Sequence, residues 1–206
     1  MTGVRSRPAS NGMYHFYHTP SFVLSAQDVS EGSRMLSLFT RELGLVRVHA
    51  RSVREERSKL RGYLQPLSFA QVALVRGRDL WRLTTAGLAP SPQDSLVYKG
   101  VLWRHKRSIV YIARILERHL QGEERDAVLY DCFRDGVHAL ANCDHGSTWE
   151  SLMLARLLSQ LGYGHVERID ARLAENIWDE SALATAVAHE SELVCLIQMA
   201  LAASQL

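Results

Sequence analysis

The chain has 206 residues, is 47% hydrophobic and carries a formal net charge of +2, which is enough apolar material for one large core or two modest ones. Its apolar runs are short: residues 109–116 already contain Arg114, well below the ~20 residues of a membrane-spanning helix. The small net charge conceals a division near Leu120, before which 19 Lys and Arg stand against 8 Asp and Glu, and after which 5 stand against 14. The first part is therefore suited to a polyanion and the second is not.

The leader, residues 1–13, carries Arg5, Arg7 and Pro8 without an apolar core, so it reads as a disordered cap, with Met13 as an alternative start, and not as a secretory signal. From residue 14 to residue 89 the pattern is that of short strands punctuated by turns. Residues 16–26 form the first. Glu31-Gly32-Ser33 turns the chain into a second strand around Met35, Leu36, Leu38 and Phe39, and Glu42-Leu43-Gly44 breaks it again. Leu45, Val46 and Val48 open a third strand with basic residues interleaved at Arg47 and Arg51, an alternation that suits a strand with one wet face. A charged connection over 54–61 leads to an apolar strand at 64–75, and Gly77-Arg78-Asp79 makes a hairpin into 80–83. Five such strands fit a barrel of the oligonucleotide-binding (OB) type, and counting alone equally admits an SH3-like one.

Ala89-Pro90-Ser91-Pro92 serves as a linker to a second domain, 95–206, whose period is helical. Ile109, Ile112, Ala113, Leu116 and Leu120 share one face of a helix, with Lys106, Arg107, Arg114 and Arg118 on the rest. A second helix covers 125–141. Ser147 and Glu150 have capping-box spacing ahead of Leu152, Leu154, Leu157, Leu158 and Leu161, and Gly162 and Gly164 stop that helix. One last helix is expected over 181–203. Stripes of this kind require a helical bundle packed on the barrel.

Three cysteines, Cys132, Cys143 and Cys195, form no CxxC pair, and the nine histidines form no HExxH or HxH group. Neither a disulfide framework nor a metal site is expected, and a reducing compartment follows. With no P-loop, no GxGxxG and no GxSxG elbow, the chain reads as a protein without an enzymatic activity or a cofactor. The sharpest local feature is the run of cations from Arg47 through Arg51, Arg54, Arg57, Lys59 and Arg61, interrupted by Glu55 and Glu56. Such a strand and loop can follow a phosphate backbone, or can be a self-paired surface. Among Tyr14, Phe16, Tyr17, Phe22, Tyr63, Phe69 and Trp81, burial suits Phe22 and Phe69, whereas Tyr63 and Trp81 are candidates for base stacking.

The order of residues in Phe22-Val23-Leu24, in residues 31–44, in 46–54, in 57–66 and in 80–86 resembles the amino-terminal barrel of RecO recombination and repair mediators, and Leu161-Gly162-Tyr163-Gly164 resembles that family's Leu-Gly-Tyr helix end. The resemblance implies an OB-fold that binds single-stranded DNA, anneals complementary strands and helps to load a RecA-type recombinase, in the cytoplasm at the nucleoid. The partners it implies are a RecR-type ring protein and the acidic tail of single-strand binding protein, with duplex DNA as a further ligand. Carried over by position, Arg34, Arg51, Arg54, Arg57, Lys59 and Arg61 are candidate DNA contacts. Where the family commonly shows Ala-Lys-Gly-Ala-Arg, this chain has Ala50-Arg51-Ser52-Val53-Arg54. Some members insert a long segment with four zinc-binding cysteines before the last helix; here only a short acidic connection, 165–180, is present, so this reads as a short form without zinc. The competing expectation is an OB-fold adapter that binds acidic tails of proteins with little direct DNA binding, and a barrel directed to RNA is a third.

Overall fold

The structure, a computed structural model, describes residues 15–51, 53, 60, 62–89, 105–120, 122–139 and 146–204. The leader expected at 1–13 and the proline-rich linker beyond Ala89 lie outside the described residues.

Five strands close into a barrel: β1 (Phe16–Asp28), β2 (Arg34–Thr40), β3 (Gly44–Ala50), β4 (Phe69–Arg76) and β5 (Trp81–Gly87), in the order β1-β2-β3-β5-β4. At 13 residues β1 is long enough to serve two neighbours. Its first half pairs antiparallel with β4, from Phe16 opposite Val75 to Phe22 opposite Phe69, and its second half pairs with β2. An irregularity between Val23 and Ser25 marks the handover, the kind of local extra twist that lets a sheet curl shut. Closure is completed by a short parallel pairing of β3 with β5, Val48 opposite Trp81 and His49 opposite Arg82. This is OB-fold topology.

Two strand boundaries differ from the sequence reading. β4 starts at Phe69 because residues 64–68 turn: Leu67 takes φ of +67° and donates its N–H to the Val23 carbonyl at 2.7 Å. β5 continues to Gly87, since Thr85 and Ala86 still pair with β4 beyond an irregularity at which Thr84 is the extra residue, its hydroxyl donating to the Ala73 carbonyl at 2.8 Å.

Alternation along the strands produces two cores. Val23, Leu36, Leu38, Val46, Val48, Val72, Leu74 and Trp81 fill the barrel interior. On the opposite side of the same sheet Phe22, Phe39 and Phe69 point away from the interior into a second core built with the helices. There Phe133 meets Phe22 edge-on at 4.8 Å and Phe39 at 5.9 Å, and Tyr130 meets Phe39 at 5.2 Å. Such ring pairs add roughly 0.5–1.5 kcal/mol each beyond the area they bury.

Among the described residues the helices are α1 (Lys106–His119), α2 (Ala127–Ala139), α3 (Gly146–Gln160), α4 (Ala171–Ala174), α5 (Glu180–Ala188) and α6 (Glu190–Ala203), with a 3-10 turn at Val166–Arg168. Helix α3 begins at Gly146, so Ser147 sits inside its first turn and the cap falls outside the described residues. The single last helix expected over 181–203 is two helices bent by 80° at His189. An unbroken helix of that length would run ~35 Å and overshoot α3, which is ~22 Å long. The bend instead lets Ala182 and Ala186 of α5 and Leu193, Ile197 and Ala200 of α6 all be buried.

The acidic connection before α5 is organised by a residue that the sequence reading passed over. Arg156 of α3 is 2% exposed. Its guanidinium donates to the carbonyl oxygens of Leu173 at 2.7 Å, Ile177 at 3.0 Å and Arg172 at 3.5 Å, and lies 4.4 Å over the Trp178 ring. Burial pulls its pKa down to about 10. Burial also pushes the neighbouring Cys132 thiol up to about 11, which keeps it protonated and unreactive at neutral pH.

Candidate nucleic-acid interface

One outer side of the barrel packs against the helices, so the solvent-facing side is the other. Along β3, Val46, Val48 and Ala50 point inward and Arg47 and His49 outward. The registers extend these outward positions into rows across the sheet. Ser25 of β1 pairs with Ser37 of β2, which pairs with Arg47. One step along, Gln27 pairs with Met35, Met35 with His49, and His49 with Arg82 of β5. With strands ~4.8 Å apart each row spans ~10–15 Å. Arg51 follows at the end of β3 and Arg78 stands in the β4–β5 turn, both exposed.

Electrostatics separates these cations from the others. Arg41 chelates Asp131 of α2, with bonds of 2.8 and 2.9 Å, and Arg125 pairs with Glu42 at 3.0 Å. Asp131 holds the Arg41 guanidinium protonated beyond its ordinary range. Ser25 donates to Glu117 of α1 at 2.8 Å. These contacts join the barrel to the helical part. Arg47, Arg51, Arg78 and Arg82, by contrast, make no ion pair or side-chain hydrogen bond among the described residues. A cluster of like charges without counter-ions is costly unless it meets an anion.

The candidate residues fare differently. Arg47 and Arg51 are exposed on the wet face, without an ion pair among the described residues. Arg34 stands at the barrel mouth, its Nε 2.8 Å from Asp28, so part of its charge is already answered. Arg54, Arg57, Lys59 and Arg61 lie outside the described residues. Tyr63 is half-buried against the interior core. Trp81 is a correction. It is 4% exposed, packs inside the barrel with Tyr17 edge-on at 5.1 Å and Arg76 over its face at 5.0 Å, and donates its indole N–H to Glu123 at 2.9 Å. Buried, with Arg76 over its face and its polar edge bonded, it offers no platform for a base. Arg76 and the indole together hold the Glu123 carboxyl below the usual carboxylate range.

Sequence reasoning missed His49, which stands on β3 between Arg47 and Arg51, and Arg82, which the parallel β3–β5 pairing sets opposite His49. It also left Phe16 undecided; at 59% exposed it is the most open aromatic of the described barrel residues. Beside this face a groove of about 670 Å³ opens between β1 and α1, floored by Leu24, Leu67 and Val110 and rimmed by Lys106, Arg114 and Glu117.

Residues 13–91 match the family profile described as "Recombination protein O N terminal". Similar curated proteins are the DNA repair protein RecO of Heliobacterium modesticaldum, 31% identical over 148 residues, covering 71% of this chain and 52% of that protein. That of Clostridium perfringens is 29% identical over 145 residues, covering 69% and 56%. The RecO of Salmonella dublin is 34% identical over 146 residues, covering 70% and 57%. The chain thus spans about half the length of the curated relatives it matches. A closed five-stranded barrel with a parallel β3–β5 closure, a match to the RecO amino-terminal profile across that barrel, and an alignment that runs on into the helices make the chain similar to the DNA repair proteins RecO.

Proposed function

We propose that this chain binds single-stranded DNA on the outer face of β2, β3 and β5, promotes annealing of complementary strands, and assists loading of a RecA-type recombinase, with no covalent step of its own. The observation that carries the reading is the set of cations Arg47, Arg51 and Arg82, without an ion pair among the described residues, on the outer side of an OB barrel, since it is the β2–β3 face and the β1–β2 and β4–β5 loops of such barrels that take oligonucleotides. Each phosphate contact releases counter-ions, which makes binding tight at low salt and indifferent to base sequence. A RecR-type ring protein and the acidic tail of single-strand binding protein, as partners in the cytoplasm, belong to the same proposal. A groove between β1 and α1 with an apolar floor of Leu24, Leu67 and Val110 and Lys106 on its rim supports the acidic tail as a ligand.

The test is fluorescence anisotropy of a labelled dT oligomer across a salt series, with the wild type and an Arg47→Gln/Arg51→Gln/Arg82→Gln variant. Losing three single-strand phosphate contacts lowers the slope of log K against log salt by about 2, and affinity near 0.1 M salt should fall about tenfold or more. Wild-type binding that ignores salt, or a variant that binds as tightly as the wild type, would overturn the assignment.

A further inference from the structure

Helix α1 carries a second set of cations that the barrel face does not use. Arg107, Tyr111, Arg114 and Arg118 recur at intervals of four, three and four residues, all exposed. At ~100° per residue they fall within about 60° of arc, a single stripe along the helix. The opposite side, Ile109, Ile112, Ile115 and Leu116, is buried in the core, so the stripe faces solvent. Tyr111, in its middle, is 42% exposed.

A solvated helix surface ordinarily mixes signs, with acidic residues in the first turn and four residues away from the basic ones. This one does neither. The first turn contains no acidic residue and carries Lys106 and Arg107, placed unfavourably at the positive end of the helix dipole. The one acidic residue of α1, Glu117, is turned aside to accept the Ser25 hydroxyl. Arg107, Arg114 and Arg118 make no ion pair or side-chain hydrogen bond among the described residues. Their backbone positions are ~10 Å and ~6 Å apart along the axis, distances from which flexible arginine side chains reach successive phosphates. An exposed aromatic between cations is the combination that single strands favour, stacking a base while the backbone is neutralised. An acidic peptide has no use for the ring.

We infer that the exposed stripe of α1 is a second nucleic-acid track, which holds a strand segment beside the one on the barrel. The two surfaces adjoin: Ser25 ends the row that starts at Arg47, and its hydroxyl is bonded to Glu117 of α1. Two neutralised strands held side by side is the geometry that annealing requires, so this inference rests on the DNA-binding reading above and gives it a second surface.

The experiment compares the full chain with an Arg107→Gln/Arg114→Gln/Arg118→Gln variant, glutamine being nearly as good a helix former as arginine, after circular dichroism has shown α1 intact. The readouts are anisotropy on a short labelled dT oligomer and the rate of annealing of two complementary oligomers. A photo-crosslinking residue replacing Tyr111 provides a direct contact test. Near-normal binding of the short oligomer, a tenfold or greater loss of annealing rate and crosslinking of position 111 to DNA are expected. Annealing at the wild-type rate with no crosslink overturns the track while leaving the barrel assignment standing; a wild type that does not bind dT overturns both. Loss of binding to an Asp/Glu-rich peptide with annealing intact would assign the stripe to a protein and likewise overturn it.

Discussion

Replacing Arg156 with methionine will lower the melting temperature by about 10 °C, read by scanning calorimetry. The guanidinium satisfies the carbonyls of Leu173 and Ile177, which no other described side chain reaches, whereas the Arg172 carbonyl keeps the Glu175 N–H, and each buried carbonyl left without a donor costs ~1–3 kcal/mol. Relief from burying a charge offsets part of this, leaving a net loss of about 3 kcal/mol, and a chain of this size loses about 2–4 °C per kcal/mol. Lysine will not rescue, because a single ammonium cannot serve the fork of acceptors that the planar group reaches. Hydrogen exchange will show the loss concentrated at residues 166–178. A variant that melts within a degree or two of the wild type would show that these carbonyls find other partners.

The second large effect is expected at Gly44, the tight turn between β2 and β3. Its φ is +66°, and a Cβ there would lie 2.1 Å from the Glu124 carbonyl oxygen and 2.8 Å from its carbon. Both are backbone atoms, so nothing can swing away. Gly44→Ala must push the α1–α2 connection off the barrel and break the bond from the Leu45 N–H to the Gly122 carbonyl. We expect a loss of more than ~3 kcal/mol, since the left-handed cost of ~1–2 kcal/mol is only the smaller part. Gly122→Ala separates the two contributions. Gly122 also has positive φ, +73°, but its Cβ would meet nothing within 4 Å, so that variant should lose only ~1 kcal/mol. Equal losses in the two variants, measured by urea titration, would mean that the close approach to Glu124 contributes nothing.

Legibility from sequence followed periodicity. The third strand and its wet face could be read because Leu45, Val46 and Val48 are interleaved with Arg47 and followed by Arg51, and the amphipathic face of α1 because its apolar residues recur at helical spacing. The parallel closure of β3 on β5 leaves no periodic trace, so Arg82 could not be joined to Arg47 in advance. The break at His189 was hidden for a similar reason: 181–203 contains neither Pro nor Gly, and only the limited length of α3 requires it. Trp81 looked wet because it stands next to Arg82, yet adjacent strand residues face opposite ways. Arg156 did announce itself. It lies in an otherwise apolar run, Leu154-Ala155-Arg156-Leu157-Leu158, where a charge is tolerated only if the fold has acceptors waiting for it.

The alternation of β1 carries a consequence for evolution of the chain. Phe22 belongs to the helix-side core and Val23 to the barrel interior, so neighbouring residues of one strand answer to different masters. Losing or gaining one residue upstream in that strand would send each side chain into the opposite compartment, a large ring into the barrel and a small aliphatic against Phe133. Point substitutions can be absorbed one core at a time, whereas insertions and deletions in β1 would have to be repaired in both cores at once. Length variation in this lineage is therefore expected in the connections, while the spacing from Phe22 to the irregularity at Ser25 stays fixed.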